Sequence, residues 1–355
     1  MYKDSSLRVM SNPAQCDRSS RLWLCNRSST KVATHERARP RAPYTLMARR
    51  GRSCSCGRHF DGSGHALVAV LLVLLLGLSV RSVHGDECVQ CPVCFGERNS
   101  CLSSQYYIRR HKDCRKAKLL CTTSVWYCPD SSMFFTWPIL TKEEISYLYS
   151  HKYSGQKHLK EGHPRIASQV GFILEGMQKI NFRKGYLRIV ELGCSYGLLL
   201  KKLQESILPN AQNHLICVEP SRAFALQAQQ RLANTNATVE VVHSTWNSDA
   251  VANNSIDLFI SSHVLEHLPD ICVFFEDLHS KLSPGGLIFS EVPNHSFKYL
   301  RQIFGGEFHL TFPTAAGMEV VVSNSGFQML DIKVFRDYWT ESPNGKWIRF
   351  LAQKL

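Results

Sequence analysis

The chain has 355 residues, 44% of them hydrophobic and 20% charged, with a formal net charge of +13. That length is enough for one or two domains with a substantial core. Residues 1–60 hold eleven Arg and two Lys against three acids, so they carry +10 and the remaining chain only +3. A basic face on the folded part is therefore not required by composition. No nucleic-acid partner is expected, because phosphate attraction needs clustered cations.

Residues 1–65, rich in Arg and Ser and poor in apolar residues, read as a basic disordered arm. An apolar run follows from Ala66 to Val80. As a helix it would reach about 22 Å, short of the roughly 30 Å hydrocarbon core. Residues 66–85 accordingly read as a signal peptide or a signal anchor. Val83 and Gly85 satisfy the small-residue cleavage rule, and Met47 would open an ordinary positive flank. If Met1 is the start, the Arg excess keeps the N-terminus cytoplasmic and sends the rest into the lumen. The expected location is the endomembrane or secretory pathway, as a single-pass membrane or secreted protein contacting the membrane through this segment. A mitochondrial or other organellar presequence is the alternative.

Seven cysteines crowd between Cys88 and Cys128, in a Cys-rich collar over residues 86–140. "CVQCPVCFGERNSC" contains two overlapping CxxC spacings, Cys88–Cys91 and Cys91–Cys94, and such a knuckle can place two thiolates on one zinc. The later stretch "YCPDSSMFFTWP" resembles the second knuckle of the zinc ribbon ahead of some bacterial sugar methyltransferases. Ser131 and Ser132 stand where that pattern has its second Cys and a Gly. Cys91, Cys94 and Cys128 are the candidate zinc ligands, with Cys114, Cys121 or His111 in reserve. Disulfides in an oxidising lumen are the competing expectation, with one thiol of the seven left over. Cys194, Cys217 and Cys272 read as small buried apolar residues.

Residues 141–185 form a helical lead-in, with apolar spacing at Ile166, Val170, Ile173, Leu174 and Met177. From residue 186 strands and helices alternate. Strand candidates are "LRIVEL", "HLICVE", "TVEVVH", "IDLFISS" and "GLIFSEV", with "GFQMLDIKVF" and "KWIRFLAQ" near the end. Continuous apolar strands between periodic helices predict an α/β fold: a doubly wound, Rossmann-like parallel sheet covered on both faces. "LSPGGL" is expected to turn the last crossover helix into its strand.

Ligands of such sheets bind at the carboxyl ends of the strands. "VELGCSYGLLLKKL" falls there: an acid, two glycines and a helix start. Gly193 and Gly197 allow close backbone approach, but their spacing is not the G-x-G-x-x-G that seats a dinucleotide pyrophosphate, and this counts against a nicotinamide oxidoreductase. The second strand ends in "CVEPS", placing Glu219 to accept both hydrogen bonds of a ribose diol.

Residues 186–355 resemble class I S-adenosylmethionine-dependent methyltransferases of the type 11/23 kind. "VELGCSYG", "VEPS", "IDLFISSHVLEHLPD", "LSPGGLIFSEVPN" and "EFHLTFPTAAGMEVVVSNSGF" carry the resemblance in order. It implies a seven-stranded sheet and S-adenosyl-L-methionine as cofactor. Glu191, Gly193, Cys194 and Gly197 would surround its methionine portion, and Glu219 would hold its ribose. Thr245 and Trp246 would flank adenine, and Ser262 and His263 would face the methionine end. Ser195 replaces the usual middle Gly, and its Cβ narrows the approach.

Methyl transfer from a sulfonium needs in-line placement above all, and a base only if the acceptor must lose a proton. "SHVLEHLPD" supplies His263, Glu266 and His267, with the two imidazoles at i and i+4 of an expected helical turn. A capping feature, a base facing the acceptor and a divalent metal site all fit that pattern. His309 in "EFHLTF" is a further candidate on the acceptor side. The acceptor is expected to be a small molecule or a sugar or glycan. A non-catalytic scaffold of the same fold is the alternative.

Overall fold

In the computed structural model the described residues are 89–92, 101–102, 107–110, 123–151, 162–182, 184–207, 212–247, 251–295 and 309–355. The basic arm and the apolar segment 66–85 lie outside them, as do Cys88, Cys94, Cys114 and Cys121. Among the described residues no helix is long and apolar enough to cross a membrane.

The collar contributes a small pair, β1 (Val89–Gln90) and β2 (Cys101–Leu102), then β3 (Tyr107–Arg110), β4 (Ser124–Cys128) and β5 (Met133–Trp137). Helix α1 (Lys142–His151) follows, and then α2 (Pro164–Lys179), where the lead-in periodicity places it. Pro164 occupies its first turn, and the His163 ring accepts from the Arg165 N–H. The alternating part runs β6 (Arg188–Leu192), α3 (Leu198–Ile207), β7 (His214–Val218), α4 (Arg222–Leu232), β8 (Thr238–Val242) and β9 (Ile256–Ser262). A 3₁₀ turn at Leu265–His267, α5 (Ile271–Lys281), β10 (Leu282–Pro293), β11 (Thr311–Phe312), α6 (Ala315–Asn324), β12 (Phe327–Phe335) and β13 (Trp347–Lys354) complete it.

Seven strands form one sheet in the order β12-β13-β10-β9-β6-β7-β8. β13 runs antiparallel to both its neighbours, and the pairs from β10 to β8 are parallel. The chain winds outward from β6 through β7 to β8, then returns to lay β9 on the other side of β6. That reversal opens the crevice at the carboxyl ends of β6 and β9.

The apolar runs are continuous because alternate residues enter two cores. Val190, Ile216 and Phe259 pack against Phe275 of α5 and Val321 of α6 on one face. Ile189, Leu215 and Leu258 pack against Ile173 of α2 and Leu200 of α3 on the other. Burial on both faces removes the polar alternation of a one-sided strand. Asp270 accepts from the N–H groups of Cys272 and Val273 at the start of α5, and Thr314 does the same for Gly317 in α6. "LSPGGL" is not a free turn. It lies inside β10, where pairing with β9 shifts register between Leu282 and Leu287.

Two further findings concern the collar and the start of the alternating part. Its strands β3, β4 and β5 join β11 in a four-stranded antiparallel sheet ordered β11-β5-β4-β3, so it shares backbone hydrogen bonds with the alternating part. Cys194 and Cys217 are joined by a disulfide, with Cα atoms 5.5 Å apart. The reading of these two as mere apolar fillers is corrected. They face each other because β6 and β7 are in register, with Leu192 beside Val218. Cys272 is buried in the core, as read.

Candidate functional site

β6 delivers Glu191 to the crevice, and the turn after it bends back on two left-handed glycines. Gly193 has φ +70°, and a Cβ there would lie 2.5 Å from Val264 Cγ2. Only glycine combines that backbone with so close a neighbour. Gly193 N–H donates to the Val218 carbonyl, so the turn is stitched to β7. Ser195 is also left-handed, at φ 51°, which costs a non-glycine residue roughly 1–2 kcal/mol. Ser195→Gly should therefore raise the unfolding free energy by about 0.5–1 kcal/mol in urea titration. A loss of stability would show that the Ser195 side chain compensates its backbone.

Glu219 is buried at the carboxyl end of β7, and its two oxygens accept from Ser195 N–H at 2.9 Å and Ser221 N–H at 2.8 Å. Burial pushes its carboxyl up, while those two donors hold it back. Glu191 is buried more deeply, and burial drives its carboxyl well up. Its Oε2 has no hydrogen-bond partner among the described residues. A buried carboxyl with one unpaired oxygen beside a glycine turn, one strand from a second carboxylate, suits a ligand with a cationic amino-acid end and a ribose. S-adenosylmethionine has both. Gly197 and Cys194 complete the turn, although the Cys194 sulfur is committed to Cys217. Thr245 and Trp246 line a cavity with Ile216, Val218 and Val242, against the ends of β7 and β8. The Trp246 indole N–H donates to Asp277, and its ring packs on Phe259 and Phe274.

At the end of β9, Ser262 accepts from Arg165 Nη2 at 2.9 Å and Gln169 Nε2 at 2.8 Å, so α2 closes this side of the crevice. Arg165 also pairs with Glu291 at 2.7 Å. Glu291 faces Arg349 across the β10–β13 ladder, and both are buried. Arg165, His263 and Arg349 together hold its carboxyl far below the usual range against the push of burial.

His263 does not begin a helical turn, as its spacing suggested. It sits at φ 57°, ahead of the three-residue 3₁₀ turn that carries Glu266 and His267. The side chains converge nonetheless. Glu266 Oε1 has His263 Nδ1 at 3.3 Å, His309 Nε2 at 3.9 Å and His267 Nε2 at 4.0 Å. Neither Glu266 oxygen has a well-formed hydrogen bond among the described residues, although the residue is fully buried. Burial alone would raise its carboxyl, and the three imidazoles hold it at about 2 instead. His263 is raised: burial and Arg165 oppose its charge, but Glu266 and Glu291 outweigh them. Burial keeps the His309 imidazole well below its usual range and His295, 3.3 Å from it, at about 4.

Glu266, His267 and His309 offer one ligand atom each, all within 4.8 Å of one another. A carboxylate with two imidazoles is a donor set for a divalent cation. In the collar, by contrast, Cys91 Sγ lies 3.9 Å from Ser131 Oγ, Cys128 is buried, and Cys94 falls outside the described residues. Nothing among the described residues supports zinc there.

Sequence reasoning missed Arg165, Gln169, Glu291, His295 and Arg349. A signal existed for two of them: Glu291 and Arg349 are charges set inside apolar stretches of their strands. Their partnership depends on a register no local pattern reports.

Residues 156–350 match the methyltransferase domain family, and the chain belongs to it. Similar proteins include the "Ubiquinone biosynthesis O-methyltransferase" of Chelativorans sp. (strain BNC1), 30% identical over 128 residues, covering 35% of this chain and 47% of that protein. That of Parvibaculum lavamentivorans is 25% identical over 158 residues, covering 41% and 60%. The chain thus spans about half the length of the curated relatives it matches. Among solved structures, an S-adenosylmethionine-dependent methyltransferase from Mesorhizobium loti is 19% identical, with a TM-score of 0.38 over 48% of this chain and 92% of that one. A putative one from Listeria monocytogenes is 12% identical, with a TM-score of 0.41 over 53% and 99%.

Proposed function

We propose that the chain transfers the methyl group of S-adenosylmethionine to a hydroxyl oxygen of a small ring-bearing acceptor. The observation that carries the acceptor half is Glu266, a buried carboxyl with three imidazoles within 4.0 Å of its Oε1. It sits beside the glycine turn, because Val264, two residues before it, packs on Gly193. The relatives named O-methyltransferases of ubiquinone biosynthesis support oxygen as the atom methylated. A sugar acceptor rests only on the collar's likeness to a zinc ribbon.

Glu219 would hold the ribose and Glu191 the ammonium end, while Gly193 lets the backbone approach. When bound, S-adenosylmethionine supplies an electrophilic methyl whose carbon–sulfur bond breaks with the electron pair staying on sulfur. Placement of the two reactants accounts for the largest share of the acceleration, about 7–11 kcal/mol at best. The hydroxyl must also lose its proton. Glu266, His267 and His309 would hold a divalent cation, whose Lewis acidity would make a bound hydroxyl more acidic, its proton passing to solvent. His263 bridges Glu266 and Glu291 and so joins this cluster to the floor formed by Arg165 and Ser262.

The test is conversion of S-adenosylmethionine to S-adenosylhomocysteine with an ortho-dihydroxybenzoate, with and without chelator. Turnover should fall at least twentyfold in EDTA and return with excess Mg²⁺ or Mn²⁺. Turnover indifferent to chelation but abolished by His309→Ala would assign the cluster as a general base instead. Methylation at carbon or nitrogen would overturn the oxygen assignment.

A further inference from the structure

The cation-binding triad draws its third member from an unexpected place. Glu266 and His267 follow β9 of the large sheet, whereas His309 precedes β11, which belongs to the sheet built by the collar. The residue between them, Leu310, is held from both sides. Its N–H donates to the Glu266 carbonyl at 2.8 Å, and its carbonyl accepts from Thr136 of β5, from N–H at 2.8 Å and Oγ1 at 3.1 Å. Directly after it, β5 pairs with β11 as Thr311 with Phe135 and Phe312 with Phe134. The same collar turn docks on α6. Thr314 Oγ1 donates to the Ser132 carbonyl at 2.8 Å, and a Cβ at Gly317 would lie 2.8 Å from the Ser131 carbonyl and overlap the Met133 side chain. Met133, Phe134 and Phe135 are fully buried.

We propose that collar strand β5 is a positioning element for the acceptor site, with Thr136 setting, through Leu310, where His309 stands relative to Glu266. This rests on the reading of Glu266, His267 and His309 as a cation site, which it deepens. On the cofactor side, Gly193 N–H donates to Val218 of β7 and Glu219 N–H to Val242 of β8, and neither bond involves the collar. Loosening the collar should therefore weaken the cation site and leave the cofactor site intact.

Gly317→Ala is the wedge. It adds one methyl at the collar–α6 contact, and alanine suits a helix better than glycine does. Thr136→Val is the gentler companion, removing only the hydroxyl bond to Leu310. The full chain is titrated with Mn²⁺ and, separately, with S-adenosylhomocysteine, and the His309 imidazole resonances are followed in ¹⁵N-histidine-labelled protein at one pH. Gly317→Ala should weaken Mn²⁺ at least fivefold and Thr136→Val two- to threefold. S-adenosylhomocysteine affinity should stay within twofold, and the His309 resonances should move. Unchanged Mn²⁺ affinity and unchanged resonances in Gly317→Ala, with faster amide exchange proving β5 loosened, would overturn the inference. Equal losses for both ligands would also overturn it, by reducing the collar to general stability. If wild type takes no Mn²⁺, the cation reading fails on its own. The positioning role then stands or falls on whether the His309 resonances move.

Discussion

Glu266→Gln should lower methyl transfer a hundredfold or more while leaving S-adenosylhomocysteine affinity within a factor of two. The substitution keeps shape and removes charge. Glu266 is the only carboxylate among the described residues that His263, His267 and His309 share, each within 4.0 Å of its Oε1. Without that charge the donor set loses its anionic ligand, and the hydroxyl of the acceptor keeps its proton near neutral pH. The loss should appear in kcat more than in KM, because the interaction develops as the oxygen becomes a nucleophile. A kcat unchanged within threefold would remove Glu266 from the chemistry and leave it a buried structural anion.

Glu219→Ala should act on the other half of the site and weaken S-adenosylhomocysteine at least tenfold, equivalent to about 1.4 kcal/mol. Two effects add. The ribose loses its acceptor, and the Ser195 and Ser221 N–H groups lose the carboxylate they share. Charge-assisted bonds of that kind are roughly twice as strong as neutral ones. Calorimetric titration measures the loss directly. Glu219→Gln should fall between, since its remaining carbonyl can still accept from one of the two donors. If Glu219→Ala binds as tightly as wild type, the ribose is held elsewhere and the crevice has been read the wrong way round.

Legibility of this chain followed locality. β9 was readable as Ile256–Ser262 because a continuous apolar run bounded by polar residues has few other uses in a doubly wound sheet. Glu219 and the Gly193 turn were readable because strand, turn and acid lie within short stretches whose roles the fold dictates. His263, Glu266 and His267 could be grouped within one turn and His309 named apart from them, but not the point where His309 joins them. His309 is more than forty residues from Glu266 in the chain and reaches it through β11, a two-residue strand with no periodic signal. The helical turn expected at His263–His267 gave way to a left-handed residue and a 3₁₀ turn, with Val264 between them packed on Gly193.

The pairing of Glu291 with Arg349 and the disulfide between Cys194 and Cys217 share one cause of concealment. Both are set by strand register across the sheet, which fixes which side chains face each other without leaving a mark on either strand alone. The collar shows the limit from the other direction. Its cysteines drew attention to zinc, while its structural consequence lies in β5, whose "MFFTW" packs against the methyltransferase domain and pairs with β11.

Titration of the full chain with S-adenosylhomocysteine, followed by isothermal calorimetry, tests most directly the claim that the crevice between β6 and β9 is a cofactor site. One saturable site per chain is the predicted result, with affinity in the micromolar range that Glu219→Ala weakens at least tenfold, about 1.4 kcal/mol. Absence of saturable binding by a sample whose circular dichroism and cooperative unfolding show it folded would contradict it, and with it the assignment of methyl transfer to this chain.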